Sequence, residues 1–109
     1  MKKYKIEITP LAYQELEDIY NYIANNLQAP QTAIEQYSRI SKAIFDLDNF
    51  PERYTLVNFE PERSMGIHRM VVDNYSVFYI IISDIVKVIN VLYQGKRIKI
   101  SCTFIKNMF

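Results

Sequence analysis

Two glycines, one cysteine, one histidine and no tryptophan occur in 109 residues, and these scarcities close off whole classes of function. A lone Cys102 cannot form an internal disulfide or a Cys-rich zinc site, and with His68 the sole imidazole a Cys/His metal cluster is excluded as well. So few glycines leave no glycine-rich phosphate loop, and no Ser-His-Asp ordering or metal-ligand spacing is present. Ordinary hydrolase, kinase and metalloenzyme readings fall away, and neither metal nor cofactor is expected. Four prolines and two glycines also argue against a long linker or a disordered tract. No apolar run approaches the roughly 18 residues of a membrane span. Lys2 and Lys3 are followed by Glu7 before any signal-like apolar block. A cytoplasmic protein with no membrane attachment is the expectation.

What is present is apolar content: half of the residues, enough for one core in a chain this long. The net charge of +1 hides a polarised distribution. Residues 1–6 carry three lysines, residues 7–62 ten acids against three bases, and residues 63–109 seven bases against two acids. Such a field bears on partner choice and encounter rate rather than on fold.

Tyr4, Ile6 and Ile8 alternate with Lys5 and Glu7, the period of a half-buried strand. Thr9-Pro10 then signals a helix start, since Thr can cap free amides and Pro at the first helical position has no amide to leave unpaired. Ala12, Leu16, Ile19, Tyr20, Ile23 and Leu27 form the apolar stripe of that helix, with Gln14, Glu15, Glu17, Asp18 and Asn21 on its wet side. A second helix is predicted from about Pro30 to Asp48, with Ile34, Tyr37, Ile40, Ile44 and Leu47 facing the core. The short link makes the two helices an antiparallel hairpin. Pro51 stops the second helix and turns Phe50 back as a plug. Residues 53–65 read as a loop, with a short strand near Tyr54 to Phe59.

Gly66 to Arg97 carries three apolar-rich strand candidates and two tight turns. Asp73-Asn74 tolerates positive φ and so favours a two-residue hairpin turn. The predicted architecture is therefore α+β, a two-helix antiparallel hairpin packed on one face of a small, mainly antiparallel sheet, in the order β-α-α-β-β-β. The other face of the sheet is expected to stay open.

Alternation from Gly66 to Val72 sorts His68, Met70 and Val72 onto the helix-facing side and Ile67, Arg69 and Val71 onto the other. Lys96 and Arg97, just past the last strand, could join Arg69 in a phosphate-binding cluster, because Arg forks bind phosphate oxygens in pairs and Lys supplies a point charge. Three basic residues near a strand edge also serve plain solubility. His68 is the natural acid or base, although its core-facing register suits a structural histidine. Tyr93 ends the last strand and offers a ring for stacking, while Tyr75 and Tyr79 read as packing groups.

Taken together, an ordered set of short motifs resembles the RelE/ParE toxin superfamily of type II toxin-antitoxin systems, and its ParE-type branch more closely. These are Ile8-Thr9-Pro10 with Ala12, Leu16 to Ala24, Phe50-Pro51-Glu52-Arg53, Gly66 to Val72 with Asn74-Tyr75, Val77-Phe78-Tyr79, and Val91-Leu92-Tyr93 with Gly95-Lys96-Arg97. The resemblance marks residues 1–97 as the toxin domain and residues 98–109 as an atypical C-terminal tail within the same single domain. It implies a small cytoplasmic growth inhibitor of the plasmid-stabilisation kind, neutralised by a cognate antitoxin. A homodimer or a heterotetramer with the antitoxin are the assemblies it allows. Three activities are compatible with it. The first is ParE-like inhibition of DNA gyrase without a hydrolytic centre. The second is RelE-like, metal-independent cleavage of mRNA on the ribosome, in which Arg69, Lys96 and Arg97 would stabilise a phosphorane and Tyr93 or His68 would move the proton. The third is an inactive relative that only binds antitoxin. Two positions depart from the family pattern: His68 stands where relatives often carry Arg, and Tyr93 where they often carry His.

Overall fold

The computed structural model describes residues 3–94. Lys96, Arg97 and the tail, three of the sequence expectations, lie outside those residues. Strand β1 (Lys5–Ile8) leads into α1 (Pro10–Asn21), which continues as a π-helical turn over Tyr22–Asn26. Helix α2 (Pro30–Phe45) runs back, tightens into a 3-10 turn at Asp46–Asp48 and is followed by another at Pro51–Arg53. Strands β2 (Ile67–Val72), β3 (Tyr75–Ile82) and β4 (Ile85–Tyr93) complete the order β-α-α-β-β-β. Among the described residues no helix is long and apolar enough to cross a membrane.

Local chemistry places the boundaries. The Ala12 amide donates to Thr9 Oγ1 at 3.2 Å and Pro10 occupies the first helical position, the two signals that open α1. Asp73 and Ser83 open the two hairpin turns at φ 54° and 57°, each a small polar residue of the kind that tolerates the left-handed region.

The sheet is mixed, with strand order β1-β4-β3-β2. The β2/β3 and β3/β4 pairs are antiparallel, whereas β1 lies parallel to β4, because the chain re-enters the sheet at β2 in the direction of β1 and two hairpins later β4 runs that way again. Ala12 and Leu16 of α1, and Ile40, Ile44 and Leu47 from α2 and its last turn, pack on Met70, Val77, Tyr79, Val86, Val88 and Val91. Tyr20 and Tyr37 meet edge-on between the helices, with ring centroids 6.1 Å apart.

Four expectations are corrected. The sheet face away from the helices is not open: Val57, Phe59 and Met65 lie over Ile67, Phe78, Ile80 and Ile89 to form a second apolar cluster. The segment that supplies this cover is anchored along the outer edge of β2. The Val57 amide donates to the Ile67 carbonyl and the Arg69 amide to the Thr55 carbonyl, although only Leu56 and His68 pair as a bridge. Phe50 does not plug anything. It is 62% exposed in a left-handed conformation, and Pro51 is the buried residue of the pair. On α2 the buried positions are Ala33, Gln36, Ile40 and Ile44, one position out of phase with Ile34, which is exposed. Leu27 is likewise exposed, because the π turn carries it off the stripe of α1.

Candidate functional site

Strand β4 outruns its parallel neighbour. Strand β1 pairs with Ile85 to Val88 only, so Ile89 to Tyr93 have no strand on that side among the described residues. An unpaired edge exposes backbone donors and acceptors, and α1 covers it with side chains. Thr9 Oγ1 donates to the Ile89 carbonyl at 3.3 Å. The Glu15 carboxylate accepts the Val91 amide at 2.9 Å and the Asn90 Nδ2 group at 3.2 Å to both oxygens. Between Phe78 and Tyr79 the β3/β4 register shifts, since Phe78 faces Asn90 while Tyr79 faces Val88. Ile89 is the extra residue of this bulge, which re-aims the end of β4. Burial raises the Glu15 pKa above its ordinary value, opposed by the hydrogen bonds from Val91 and Asn90 and helped by nearby Asp18.

Beyond Glu15 the α1 hairpin and the end of β4 diverge, leaving a groove of about 910 Å³. Its helical wall is Ile19, Tyr22, Ile23 and Leu27, and its sheet wall is Tyr75, Val91 and Tyr93. The π turn shapes the first wall: the Leu27 amide donates to the Tyr22 carbonyl, a five-residue step that widens the helix end. Tyr75 and Tyr93 meet edge-on, centroids 5.7 Å apart. Burial, with Tyr93 and Tyr22 close by, raises the Tyr75 pKa and keeps its phenol protonated. Tyr22, Leu27 and Tyr93 are 54%, 55% and 55% exposed. Among the described residues, the charged side chains lining the groove, Glu15 and Asp18, are both acidic.

Among the described residues, the predicted site side chains His68, Arg69 and Tyr93 do not converge, and Lys96 and Arg97 lie outside those residues. His68 lies on the helix-facing side of β2. It stacks on Tyr79 at 5.2 Å with an interplanar angle of 11° and donates from Nδ1 to the Tyr54 carbonyl at 2.7 Å. Arg69 is on the other side, partly buried, with Nε donating to Ser76 Oγ at 3.0 Å. Tyr93 is on the His68 side of the sheet, but beside Tyr75 at the far end of β4. Sequence reading missed Glu15, which it placed on the wet side of α1, and Leu27, which it placed in the core. The signal for Glu15 was its position one helical turn beyond Leu11 and Ala12, on the flank of the apolar stripe, where a carboxylate can reach a strand edge.

Residues 6–98 match the family described as the ParE toxin of the type II toxin-antitoxin system, parDE. The chain belongs to the ParE toxin family. No curated protein sequence matches it. Among solved structures, a chain of the chromosomal ParDE toxin-antitoxin system from P. aeruginosa is similar, with a TM-score of 0.72 at 14% identity, covering 87% of this chain and 100% of that one. A chain of the RelBE2 toxin-antitoxin complex from Mycobacterium tuberculosis is similar at a TM-score of 0.60 and 18% identity, covering 84% and 99%. At these identities the likeness is one of fold. The hairpin-on-sheet architecture is thus shared with chains only 14% and 18% identical to this one.

Proposed function

We propose that this ParE-family toxin is a cytoplasmic growth inhibitor neutralised by a cognate antitoxin, and that it acts by binding DNA gyrase rather than by cutting RNA. The observation that supports this reading is that, among the described residues, His68, Arg69 and Tyr93 stand apart. Phosphoryl cleavage needs a general acid or base and cationic donors within hydrogen-bond reach of one phosphate. His68 is committed to the Tyr54 carbonyl on one side of the sheet, while Arg69 is tied to Ser76 on the other. Inhibition by binding asks for no such convergence. The antitoxin reading is supported by the family match and by the two structural relatives, both from toxin-antitoxin systems.

Induced expression tests it. Growth arrest with an SOS response and trapped gyrase cleavage complexes is expected, relieved by coexpression of the protein encoded in the neighbouring reading frame. Messenger RNA cut inside translated codons, with the cuts abolished by Arg69→Ala, would replace it with the ribonuclease reading, in which Arg69, Lys96 and Arg97 grip the phosphate. An intact chain without toxicity would make it an inactive, antitoxin-binding relative. Arg69 spends Nε on Ser76 and keeps four terminal N–H donors for an acidic partner. Affinity for the antitoxin should therefore fall with ionic strength and on Arg69→Ala, Lys96→Ala or Arg97→Ala.

A further inference from the structure

Residues 55–66 lie over Ile67, Phe78, Ile80 and Ile89 through Val57, Phe59 and Met65, yet they are largely self-contained. The Arg63 amide donates to the Phe59 carbonyl, the Met65 amide to Pro61 and the Gly66 amide to Arg63. The Arg63 guanidinium reaches back to the Val57 carbonyl at 3.0 Å, and the Glu60 carboxylate accepts the Ser64 amide at 2.7 Å. Among the described residues, three backbone bonds tie this strap to β2: the Val57 amide to the Ile67 carbonyl, the Ile67 amide to Glu62 and the Arg69 amide to Thr55, at 2.9, 3.2 and 3.1 Å.

The strap hangs between two fixed points. Tyr54 packs against the helix-side core, and its carbonyl accepts His68 Nδ1 at 2.7 Å. Ile67 is fully buried at the start of β2. Gly66 joins the strap to that strand at φ 84°, with open space where a Cβ would sit, the freedom that a hinge requires.

The closed position carries a cost. Glu62 is 7% exposed, and its Oε1 has no hydrogen-bond partner among the described residues. A carboxyl group held from water without a partner weighs against the closed form by roughly tenfold in the open-to-closed ratio, and lifting the strap hydrates it. An element with few anchors and such a cost separates from its sheet before the rest of the domain unfolds.

We propose that residues 55–66 open as one unit while the helical hairpin and the sheet stay folded, and that Glu62 sets how often they do so. The open form bares the outer edge of β2 and the apolar side chains Ile67, Phe78, Ile80 and Ile89, a surface that the closed form hides. The inference holds whatever the toxin's target.

Amide hydrogen exchange of the full chain, followed by NMR and corrected for intrinsic rates, tests it. The Val57, Ile67 and Arg69 amides should share one protection factor, at least about tenfold below that of the Val77 amide in the central strand. Ile44→Val weakens the helix-side core, which open and closed forms share, so it should speed exchange at Val77 severalfold and leave the three strap amides unchanged. Glu62→Met removes the buried carboxyl and should slow the strap amides about tenfold. Glu62→Gln, which drops the charge and keeps the shape, repeats the measurement should Glu62→Met fail to fold. Acceleration of strap and Val77 amides alike by Ile44→Val would mean that the strap opens only when the whole domain unfolds, and would overturn the proposal. So would unequal protection at the three strap amides, or strap rates that ignore the change at Glu62.

Discussion

The Glu15 carboxylate holds the Val91 amide at 2.9 Å, so that a helix side chain rather than a strand closes the edge of β4. Glu15→Ala leaves that amide and the Asn90 side chain without their acceptor and should cost about 1–2 kcal/mol, whereas Glu15→Gln keeps an acceptor oxygen. Because burial raises the folded-state pKa, the stability linked to this group is complete below its ordinary 4.5 and is lost as pH rises through the raised value. Urea melts should show wild type losing ground to Glu15→Gln between pH 4 and pH 7. A constant difference would mean that Glu15 does not titrate anomalously.

Tyr79 is fully buried and its hydroxyl donates to the Pro51 carbonyl at 2.6 Å, pinning the turn after α2 to the middle of the sheet. Burial pushes the phenol pKa up, so the donor persists through the alkaline range. Tyr79→Phe keeps the ring that stacks on His68 but strands the carbonyl. A loss of about 1–2 kcal/mol in urea unfolding is expected, with hydrogen exchange accelerating at Arg53 and Tyr54.

Asp73 opens the β2/β3 turn and also reaches α2, accepting Arg39 Nε at 2.7 Å and Gln36 Nε2 at 3.0 Å. The hydrogen bond from Arg39, then that from Gln36, lowers its pKa. The stability it lends is present above its ordinary 3.8 and lost as pH falls through the lowered value. Asp73→Asn, which still tolerates positive φ, should be less stable than wild type at pH 7 and converge on it below pH 4. Asp73→Ala should be worse than Asn at every pH, since it also strains the turn. Thermal midpoints across that range decide both points.

Phe50 sits at φ 53° with most of its side chain in solvent. A bulky side chain there carries left-handed strain of about 1 kcal/mol or more and returns little burial. Phe50→Asn should therefore raise stability by about 0.5–1 kcal/mol, read as a higher thermal midpoint. A fall would show that Phe50 packs on something that its exposure does not reveal.

Features that depend on neighbours in sequence were legible before any coordinates. Thr9-Pro10 caps and opens α1, Asp73-Asn74 turns β2 into β3, and the alternation through β2 puts Met70 on the helices and Arg69 behind them, because each rests on backbone preference or side-chain period within a few residues. Helix phase was less legible. Ile34 is a better core residue than Gln36 by type, yet Gln36 is buried, since its amide has Asp73 to donate to and the stripe through Ala33 and Ile40 sets the phase.

The chain's order of periods and breaks determined that it would be a helical hairpin on a small sheet, and its ordered set of motifs resembles the toxin superfamily. Tertiary structure decided the rest: that residues 55–66, which show no period, cover Ile67, Phe78, Ile80 and Ile89 on the second face of the sheet, that Glu15 closes the β4 edge, and that His68, Arg69 and Tyr93 stand apart. The physical reason is reach. Periodicity and turn chemistry act over a few residues, whereas Val57 on Phe78 and Glu15 on Val91 are contacts across 21 and 76 positions of chain, settled only when the elements pack.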